Sequence, residues 1–422
     1  MDSVPEVTFS VHVVDLNTSK NFKILISSLI MRSRFLLILV WLGLAVVSLA
    51  ATVTAEFTSA TTIPVTAASY SATGNGVSLS LSFAPTTGTN LTVIKNTGID
   101  FIDGKFSNLA QGQKVDLSYN GATYKFAANY YGGSGNDLVL HWAHQDLTAW
   151  GGNNSGQLGN GSTTNSGVLS GKTVVSVSAG YSHSLALCSD GTLAAWGNNG
   201  SGQLGNGSTT ESSVPVLVTQ SGVLAGKIVV SMSAGDGHSL ALCSDGALAA
   251  WGYNGSGQLG NGSTTSSSVP VLVTQSGVLA GKTVVSVATG NFHSLALCSD
   301  GTLAAWGSNG FGQLGNGSTT YSSVPVLVDQ SGVLSGKTVV SVSAGATHSV
   351  VLCSDGTLAA WGYNQYGQLG NGTTASSSVP VLVTQSGVLA GKTVVSVATG
   401  NFHSLALCSD GTLAAWGSNG FG

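Results

Sequence analysis

Histidine and cysteine recur at a constant step of 55 residues along the C-terminal two thirds of this 422-residue chain. Each cysteine follows its histidine by five residues, and these two side chains are common zinc ligands. On a β-strand, residues i and i+5 point to opposite faces, so one such pair cannot close on a single ion. We therefore expect no metal and no cofactor. We interpret each histidine as a structural residue bonded to backbone and each cysteine as a small buried filler; the positions are His183, His238, His293, His348 and His403, and Cys188, Cys243, Cys298, Cys353 and Cys408.

A serine follows every one of these histidines, as Ser184 follows His183, and the pair could serve acyl transfer. That chemistry also needs a carboxylate that orients the imidazole. The acid that recurs in each copy, such as Asp245, belongs to a Ser-Asp-Gly turn. Several identical triads in one chain would also be a strange design. We predict no catalytic residues and no enzymatic activity.

Charge is sparse, because only 7% of the residues are Asp, Glu, Lys or Arg. Residues 146–422 contain five lysines, no arginine and nine acids. Nucleic acid is excluded as a partner, since phosphate binding needs a dense basic stripe. The Gly-Gln-Leu-Gly-Asn-Gly loops also lack the following helix and Lys-Ser/Thr of a phosphate cradle.

Each copy of the repeat contains four short apolar segments that predict β-strands. In the second full copy these are residues 214–218, 228–234, 238–244 and 247–252, and no segment has the period of a helix. Gly246 and Asp245 suit the tight turn between the last two. A unit this short cannot bury its own apolar face, so copies must stack. Four strands per copy predict a propeller blade packed between two neighbours.

His-Ser-Leu-Ala-Leu, Ser-Asp-Gly, Ala-Trp-Gly and Asn-x-x-Gly-Gln-Leu-Gly, as they stand within residues 293–315, closely resemble the repeat of the regulator of chromosome condensation family. The motifs recur across residues 146–422. The resemblance implies a circular, usually seven-bladed β-propeller. It also implies roles such as exchange factor for small GTPases, chromatin binder or secreted protein-binding scaffold, although none of the exchange-factor residues can be mapped here. One tryptophan per blade is expected to pack between blades rather than to form a carbohydrate-stacking ring.

About five units are present, so the predicted fold class is an all-β propeller of repeated four-stranded blades, preceded by a small antiparallel β-domain. The sequence stops at Gly422, within a loop that continues after Gly312 in an earlier copy. We therefore expect a fragment of a seven-bladed ring. The first unit is shorter, because residues 160–172 correspond to 206–227 and lack the Val-Pro-Val-Leu-Val segment.

The N-terminus contains a candidate targeting signal. From Met31, two arginines precede an apolar run over residues 35–47 and then small residues at Ser48, Ala50 and Ala51. This pattern is typical of a secretory signal peptide. The alternative is an uncleaved membrane anchor, although the run is shorter than the roughly 20 residues that span a bilayer. We predict an N-terminal extension and signal over residues 1–50, with Met31 as an alternative true start. We also predict a protein secreted or held at a bacterial cell surface, with the membrane involved only in targeting.

Residues 56–143 form a different, non-repetitive segment. Alternating apolar and polar residues between turn-rich runs predict a small antiparallel β-domain, whose end resembles a β-motif of passenger regions in bacterial surface proteins. Residues 132–138, Gly-Gly-Ser-Gly-Asn-Asp-Leu, also match a calcium-binding nonapeptide repeat. One copy supplies only half of such a site. We therefore favour a Gly-rich hairpin.

The copies differ from one another mainly in the loops before the histidine, after Trp-Gly and after the Thr-rich run. Loops on a rigid scaffold are where recognition residues are placed, and Tyr and Phe anchor interfaces. The main hypothesis is a non-catalytic secreted or surface-attached scaffold that binds a protein partner. The alternatives are neutral drift among the copies and an adhesin module that binds carbohydrate, such as cell-envelope polysaccharide. The candidate binding residues are Tyr181, Tyr253, Phe292, Phe311, Tyr321, Tyr363, Tyr366 and Phe402.

Overall fold

The protein was analysed as a computed structural model that describes residues 51–86, 88–133, 135–143, 153–159 and 168–420. Regular structure in these ranges is β, apart from three single 3-10 turns at Gly222–Leu224, Gly277–Leu279 and Gly387–Leu389. None of the helical turns in these ranges has the length and apolar character needed to cross a bilayer. The predicted signal segment, residues 1–50, lies outside the described residues.

The N-terminal unit consists of two small sheets. The strands are β1 (Thr52–Phe57), β2 (Val65–Ala67), β3 (Gly76–Leu81), β4 (Leu91–Asn96), β5 (Lys114–Tyr119), β6 (Ala122–Gly132) and β7 (Asp137–Trp142). Strands β1 and β3 pair with each other, and the second sheet has the order β2-β4-β7-β6-β5.

The prediction that this unit is antiparallel holds for only some of its strand pairs. Strand β1 pairs with β3 in parallel, and β2 pairs with β4 in parallel. Alternation along a strand shows which face is buried but not the direction of the partner strand. Parallel pairing needs a crossover connection, which the chain provides through the intervening strand in each case. The β5–β6 hairpin turns at Asn120 and Gly121, whose φ values of 48° and 78° are those of a tight hairpin turn.

The motif that resembles a calcium repeat lies in the β6–β7 hairpin. Gly132 pairs with Asp137 across the two strands. The Asp137 carboxylate accepts hydrogen bonds from Lys95 Nζ at 2.9 Å and from the Asn96 backbone N–H at 2.8 Å. This carboxylate is almost wholly buried and joins β7 to β4.

The repeats form four antiparallel sheets of four strands and a fifth of three. This confirms the predicted all-β fold of four-stranded blades. The strands are β8 (Val174–Ala179), β9 (His183–Cys188), β10 (Leu193–Gly197) and β11 (Ser212–Leu217); β12 (Val229–Ala234), β13 (His238–Cys243), β14 (Leu248–Gly252) and β15 (Ser267–Leu272); β16 (Val284–Thr289), β17 (His293–Cys298), β18 (Leu303–Gly307) and β19 (Ser322–Leu327); β20 (Val339–Ala344), β21 (His348–Cys353), β22 (Leu358–Gly362) and β23 (Ser377–Leu382); β24 (Val394–Thr399), β25 (His403–Cys408) and β26 (Leu413–Gly417).

The blade boundaries differ from the predicted unit. The segment at residues 214–218 was grouped with the strands that follow it, whereas β11 pairs with the preceding β10, with Ala194 opposite Leu217. A repeat period sets the length of a unit and leaves its starting point open. The pairing is decided by the loop between β10 and β11, which brings the chain back to the same sheet. The shortened segment of the first unit includes residues 160–167, which lie outside the described residues.

Neighbouring blades share their apolar cores. Trp251, Ala241 and Cys243 of the second blade pack with Leu185 and Leu193 of the first, and Trp251 is fully buried. The prediction that the tryptophans pack between blades is therefore confirmed for this position. All five cysteines are buried and unpaired.

The N-terminal unit packs against the Ser-Asp-Gly ends of the blades. A Cβ on Gly112 would lie 2.7 Å from the backbone carbonyl carbon of Ser189. Further along, residues 95–99 line a cavity together with the first strands of three blades, at Val285, Val340 and Val395. The opposite ends of the strands carry the variable loops.

Candidate functional site

The loops before histidine and after Trp-Gly lie at one edge of every blade. The second and third strands are antiparallel, so that His293 pairs with Gly307 at one end of the hairpin and Leu297 with Leu303 at the other. We call this edge the loop face. In each blade it is formed by the two residues before histidine and by the loop that follows Trp-Gly.

A buried asparagine holds the shape of each long loop. In the third blade, Asn309 is fully buried, and its Nδ2 donates to the carbonyl oxygens of Ser318 at 2.9 Å and Thr320 at 3.0 Å. Its Oδ1 accepts from the Leu314 backbone N–H at 2.9 Å. Gln313 Oε1 accepts from the Phe311 backbone N–H, also at 2.9 Å. The loop therefore presents Phe311 from a fixed backbone.

Glycines allow these loops to lie in close contact with the next blade. Gly260 has φ +67°, and a Cβ there would lie 2.6 Å from Trp306 Nε1 of the following blade. Gly257 has φ +79°, and a Cβ there would lie 2.6 Å from the Ser323 Cα. Both positions need a residue without a side chain, because of the left-handed φ and the close approach.

Four candidate aromatic residues from three successive blades form one cluster, which we call the aromatic ridge: Phe311, Tyr363, Tyr366 and Phe402. Ring centroids are separated by 4.7 Å for Phe311–Tyr363, 5.4 Å for Tyr366–Phe402, and 6.1 Å from Tyr363 to both Tyr366 and Phe402. Phe311 is 46% exposed and Tyr366 52% exposed. Large exposed aromatic rings in mutual contact are typical of an interaction surface.

The other four candidates are distributed differently. Tyr253 and Phe292 form a second pair, with ring centroids 5.9 Å apart. Tyr321 is exposed and lies close to Gly310, where a Cβ would be 3.5 Å from its hydroxyl. Tyr181 is the most exposed of the eight, at 69%, and lies on the first blade. The structure thus brings six of the eight predicted residues into ring contact.

The loops that carry the ridge are uncharged. Residues 308–321 and 363–376 contain no Asp, Glu, Lys or Arg, and neither do the residues before the histidines at 345–347 and 400–402. Binding at this surface would therefore depend on apolar contact and neutral hydrogen bonds.

The buried histidines have a role that the sequence interpretation missed. They were expected to bond to backbone, whereas His293 Nε2 lies 3.0 Å from Ser349 Oγ of the next blade. Ser349 Oγ donates to the Gln313 carbonyl oxygen at 3.0 Å, so its proton is already used and Nε2 must be the donor to it. The spacing of 56 residues between each histidine and its serine partner is constant and was the available signal.

This His–Ser contact is unsuited to nucleophilic catalysis. The serine hydroxyl points its proton away from the histidine, both side chains are fully buried, and His293 Nδ1 has no partner. Burial lowers the pKa of His293 to about 3, with a smaller contribution from His348. The imidazole is therefore neutral and acts as a structural donor. Among the described residues, no three His, Cys, Asp or Glu side chains are grouped as metal ligands would be.

The chain resembles known proteins along its repeats. The model of the RCC1-like domain family matches residues 132–422. The Ultraviolet-B receptor UVR8 of Arabidopsis thaliana is 33% identical over 282 residues, which is 65% of this chain and 62% of the receptor. The human E3 ubiquitin-protein ligase HERC2 is 35% identical over 206 residues, which is 48% of this chain and 4% of the ligase. The chain thus spans less than two thirds of either relative.

Solved structures with the same fold include human WBSCR16, with a TM-score of 0.52, 28% identity, and coverage of 70% of this chain and 71% of that one. Yeast RCC1 (Prp20) bound to Kap60 has a TM-score of 0.51 and 28% identity, with coverage of 59% and 56%. These relatives are eukaryotic, so they lend no support to the expected bacterial origin. With the family model matched over more than half of its length, and with the repeated blades described above, this chain belongs to the RCC1-like domain family.

Proposed function

We propose that this protein is a non-catalytic propeller scaffold that binds a protein partner through the aromatic ridge. The observation that carries the proposal is the gathering of Phe311, Tyr363, Tyr366 and Phe402 on adjacent loops that are otherwise nearly identical in sequence. Buried asparagine bonds and glycine contacts hold those loops rigid, so little entropy is lost when a partner binds.

Related propellers support a protein as the partner. Yeast RCC1 has been crystallised with Kap60 bound to it, and yeast Prp20p is described with binding properties to Gsp1p and histones. The ridge also differs from a sugar platform, because its rings meet at interplanar angles of 54° to 68° instead of offering one flat stacking face.

We further propose that the protein acts outside the cytosol, delivered by the signal-like segment at residues 31–51. Five unpaired cysteines would be a hazard there only if they reacted. Burial raises the pKa of Cys188, Cys243, Cys298 and Cys353 to about 11, so the reactive thiolate does not form near neutral pH.

The test replaces the ridge residues by those at the matching sites of other blades, as the triple variant Phe311→Ser, Tyr366→Ser and Phe402→Thr. Interface anchors typically contribute about 2 kcal/mol or more each, so we expect partner capture to be abolished. Exposed loop substitutions usually change stability by under about 0.5 kcal/mol, so the melting temperature should stay within a few degrees.

Capture is measured on the native cell envelope, with and without periodate treatment of the target. Ser256→Ala, at the position that Phe311 and Tyr366 occupy in their blades, is the matched control and should capture normally. Equal capture by the triple variant would assign the aromatic variation to drift. Binding that periodate destroys, or binding to purified polysaccharide, would favour the adhesin hypothesis instead.

A further inference from the structure

A glutamine in each long loop donates to the first residue after Trp-Gly when that residue is polar. In the first blade, Gln203 Nε2 donates to Asn198 Oδ1 at 2.6 Å. In the third blade, Gln313 Nε2 donates to Ser308 Oγ at 3.2 Å. Both glutamines are almost wholly buried, so this bond satisfies a donor that water does not reach.

The second and fourth blades carry tyrosine at this position, and there the bond is lost. Gln258 Nε2 and Gln368 Nε2 are buried and have no hydrogen-bond partner. Rotating the amides would not help, because Gln258 Oε1 accepts from the Ser256 backbone N–H at 2.9 Å and Gln368 Oε1 from the Tyr366 backbone N–H at 3.0 Å. The Tyr363 hydroxyl donates elsewhere, to Gln365 Oε1 at 2.6 Å.

The two tyrosines therefore work against the stability of their own loops. A buried donor without an acceptor is unfavourable, and asparagine or serine at the same position relieves it in the other blades. Nothing in the packing of the blade demands the larger residue, since the first and third blades have the same strands and the same loop length. A residue that opposes folding in two blades points to a role in binding.

Both tyrosines lie on the loop face within aromatic groups. Tyr253 contacts Phe292, and Tyr363 is at the centre of the ridge, in contact with Phe311, Tyr366 and Phe402. Ring centroids 4.7 to 6.1 Å apart leave no room for a cation between them, so the groups are ridges and not cages. A ligand must lie over the rings.

We propose that Tyr253 and Tyr363 anchor two equivalent subsites, two blades apart, that bind a proline-rich segment of the protein partner. This inference rests on the proposed function. Proline rings pack on exposed aromatic side chains, and the extended polyproline conformation is preformed. Proline has no backbone N–H that binding would leave unpaired, which suits the uncharged loops around Tyr363.

The first experiment measures stability without any partner. Tyr253→Asn and Tyr363→Ser recreate the pairs found with Gln203 and Gln313, and each should raise the melting temperature of the full chain by about 2 °C. Ser308→Tyr makes the opposite change and should lower it by a similar amount. A melting temperature that stays the same or falls in both restored variants would show that the tyrosines are structural, and would overturn the inference.

The second experiment measures binding of a blocked peptide of about ten prolines to the full chain by titration of intrinsic fluorescence. We expect saturable binding that weakens about tenfold when Tyr253→Asn and Tyr363→Ser are combined, because both subsites are then lost, and that is unchanged in Ser256→Ala. A glycine-serine peptide of equal length should not bind. If the proline peptide fails to bind while the unaltered protein still captures its partner, the proline-rich ligand is wrong and the proposed function stands.

Discussion

At the scale of single residues, His238 shows how one side chain joins two blades. Its Nε2 lies 3.0 Å from Ser294 Oγ of the following blade. The ring fits because residue 235 is glycine, where a Cβ would lie 2.7 Å from His238 Nδ1. Burial lowers the pKa of His238 to about 3, and the neighbouring His183 and His293 contribute in the same direction.

Four such buried histidines predict a loss of stability in mild acid. The pKa falls from about 6.5 in the unfolded chain to about 4 for His183 and His348 and about 3 for His238 and His293. The unfolded chain therefore takes up protons first as the pH falls, which favours unfolding. The histidine contribution is complete well above pH 6.5 and declines as the pH falls, down to about pH 4 for His183 and His348 and about pH 3 for His238 and His293, by at most about 1.4 kcal/mol per histidine and pH unit. Denaturant unfolding between pH 7.5 and 5 measures it.

The aspartates of the Ser-Asp-Gly turns titrate in a separate range and provide the control. Hydrogen bonding to Lys282 lowers the pKa of Asp300 to about 2, so stability from that pair is lost only as the pH falls below about 3.8. His293→Gln removes one titrating group and should make the pH dependence above pH 5 shallower. A free energy of unfolding that is constant from pH 7.5 to 5 would contradict the neutral, donor role of the histidines.

At the scale of elements, the Ser-Asp-Gly hairpin and the long loop use glycine in different ways. Asp245 Oδ1 accepts from the Ala247 backbone N–H at 3.0 Å, as the turn chemistry predicted, and Lys227 pairs with the same carboxylate. The side chains of this ion pair are 29% and 52% exposed, so it contributes little. In the long loop, glycine permits contact with the next blade.

Two alanine substitutions separate backbone strain from contact between blades. Gly301, in a hairpin turn, has φ +83° and open space around a new Cβ, so Gly301→Ala should destabilise by about 1 kcal/mol through strain alone. Gly260→Ala adds a clash with the Trp306 ring and should destabilise by about 3 kcal/mol or more. Denaturant midpoints at constant m-value measure both. Equal losses of stability in the two variants would mean that the loop at Gly260 is not in close contact with the next blade.

At the scale of the whole molecule, blades gain stability from their neighbours. The last described sheet has three strands, and residues whose equivalents are buried in earlier blades are exposed there: His403 is exposed and Leu413 is 63% exposed. In a stacked array each unit contacts only the adjacent ones, so local opening should be easiest at such a sheet.

The cysteines can report this gradient. All five are buried, so a thiol reagent should modify none of them rapidly in the folded protein and all of them in denaturant. Among them, Cys408 should react several-fold faster than Cys298, because His403 and Leu413 in its sheet are exposed, whereas the equivalent residues in the sheet of Cys298 are buried. Mass spectrometry of labelled peptides gives each rate.

Rapid modification of Cys298 under native conditions would contradict the packing between blades. Equal slow rates at every cysteine would instead mean that the repeats unfold as one cooperative unit. Cys298→Ala provides the control for peptide assignment. Its volume change is small, so the fold should be retained.

Much of the architecture follows from the sequence alone. The constant step between His238 and His293, the strand alternation and the Asp245 turn predict stacked four-stranded units, because so short a unit can bury its apolar face only against neighbouring copies. The loop tyrosines and phenylalanines could be singled out because they differ among copies. The sequence could not show which sheet the segment at residues 214–218 joins, because a repeat period does not reveal where each unit begins.

Tertiary structure decided the contacts that join different copies. Only folding places His293 beside Ser349, brings Tyr363 to Phe311 and Phe402 from other blades, and leaves Gln258 and Gln368 without an acceptor. These pairs are dozens of residues apart or depend on the angle between blades, so local propensity does not contain them. The constant 56-residue step between histidine and serine can be interpreted only once the blades are stacked. The sequence determined the blade, whereas packing between blades determined the surface it presents.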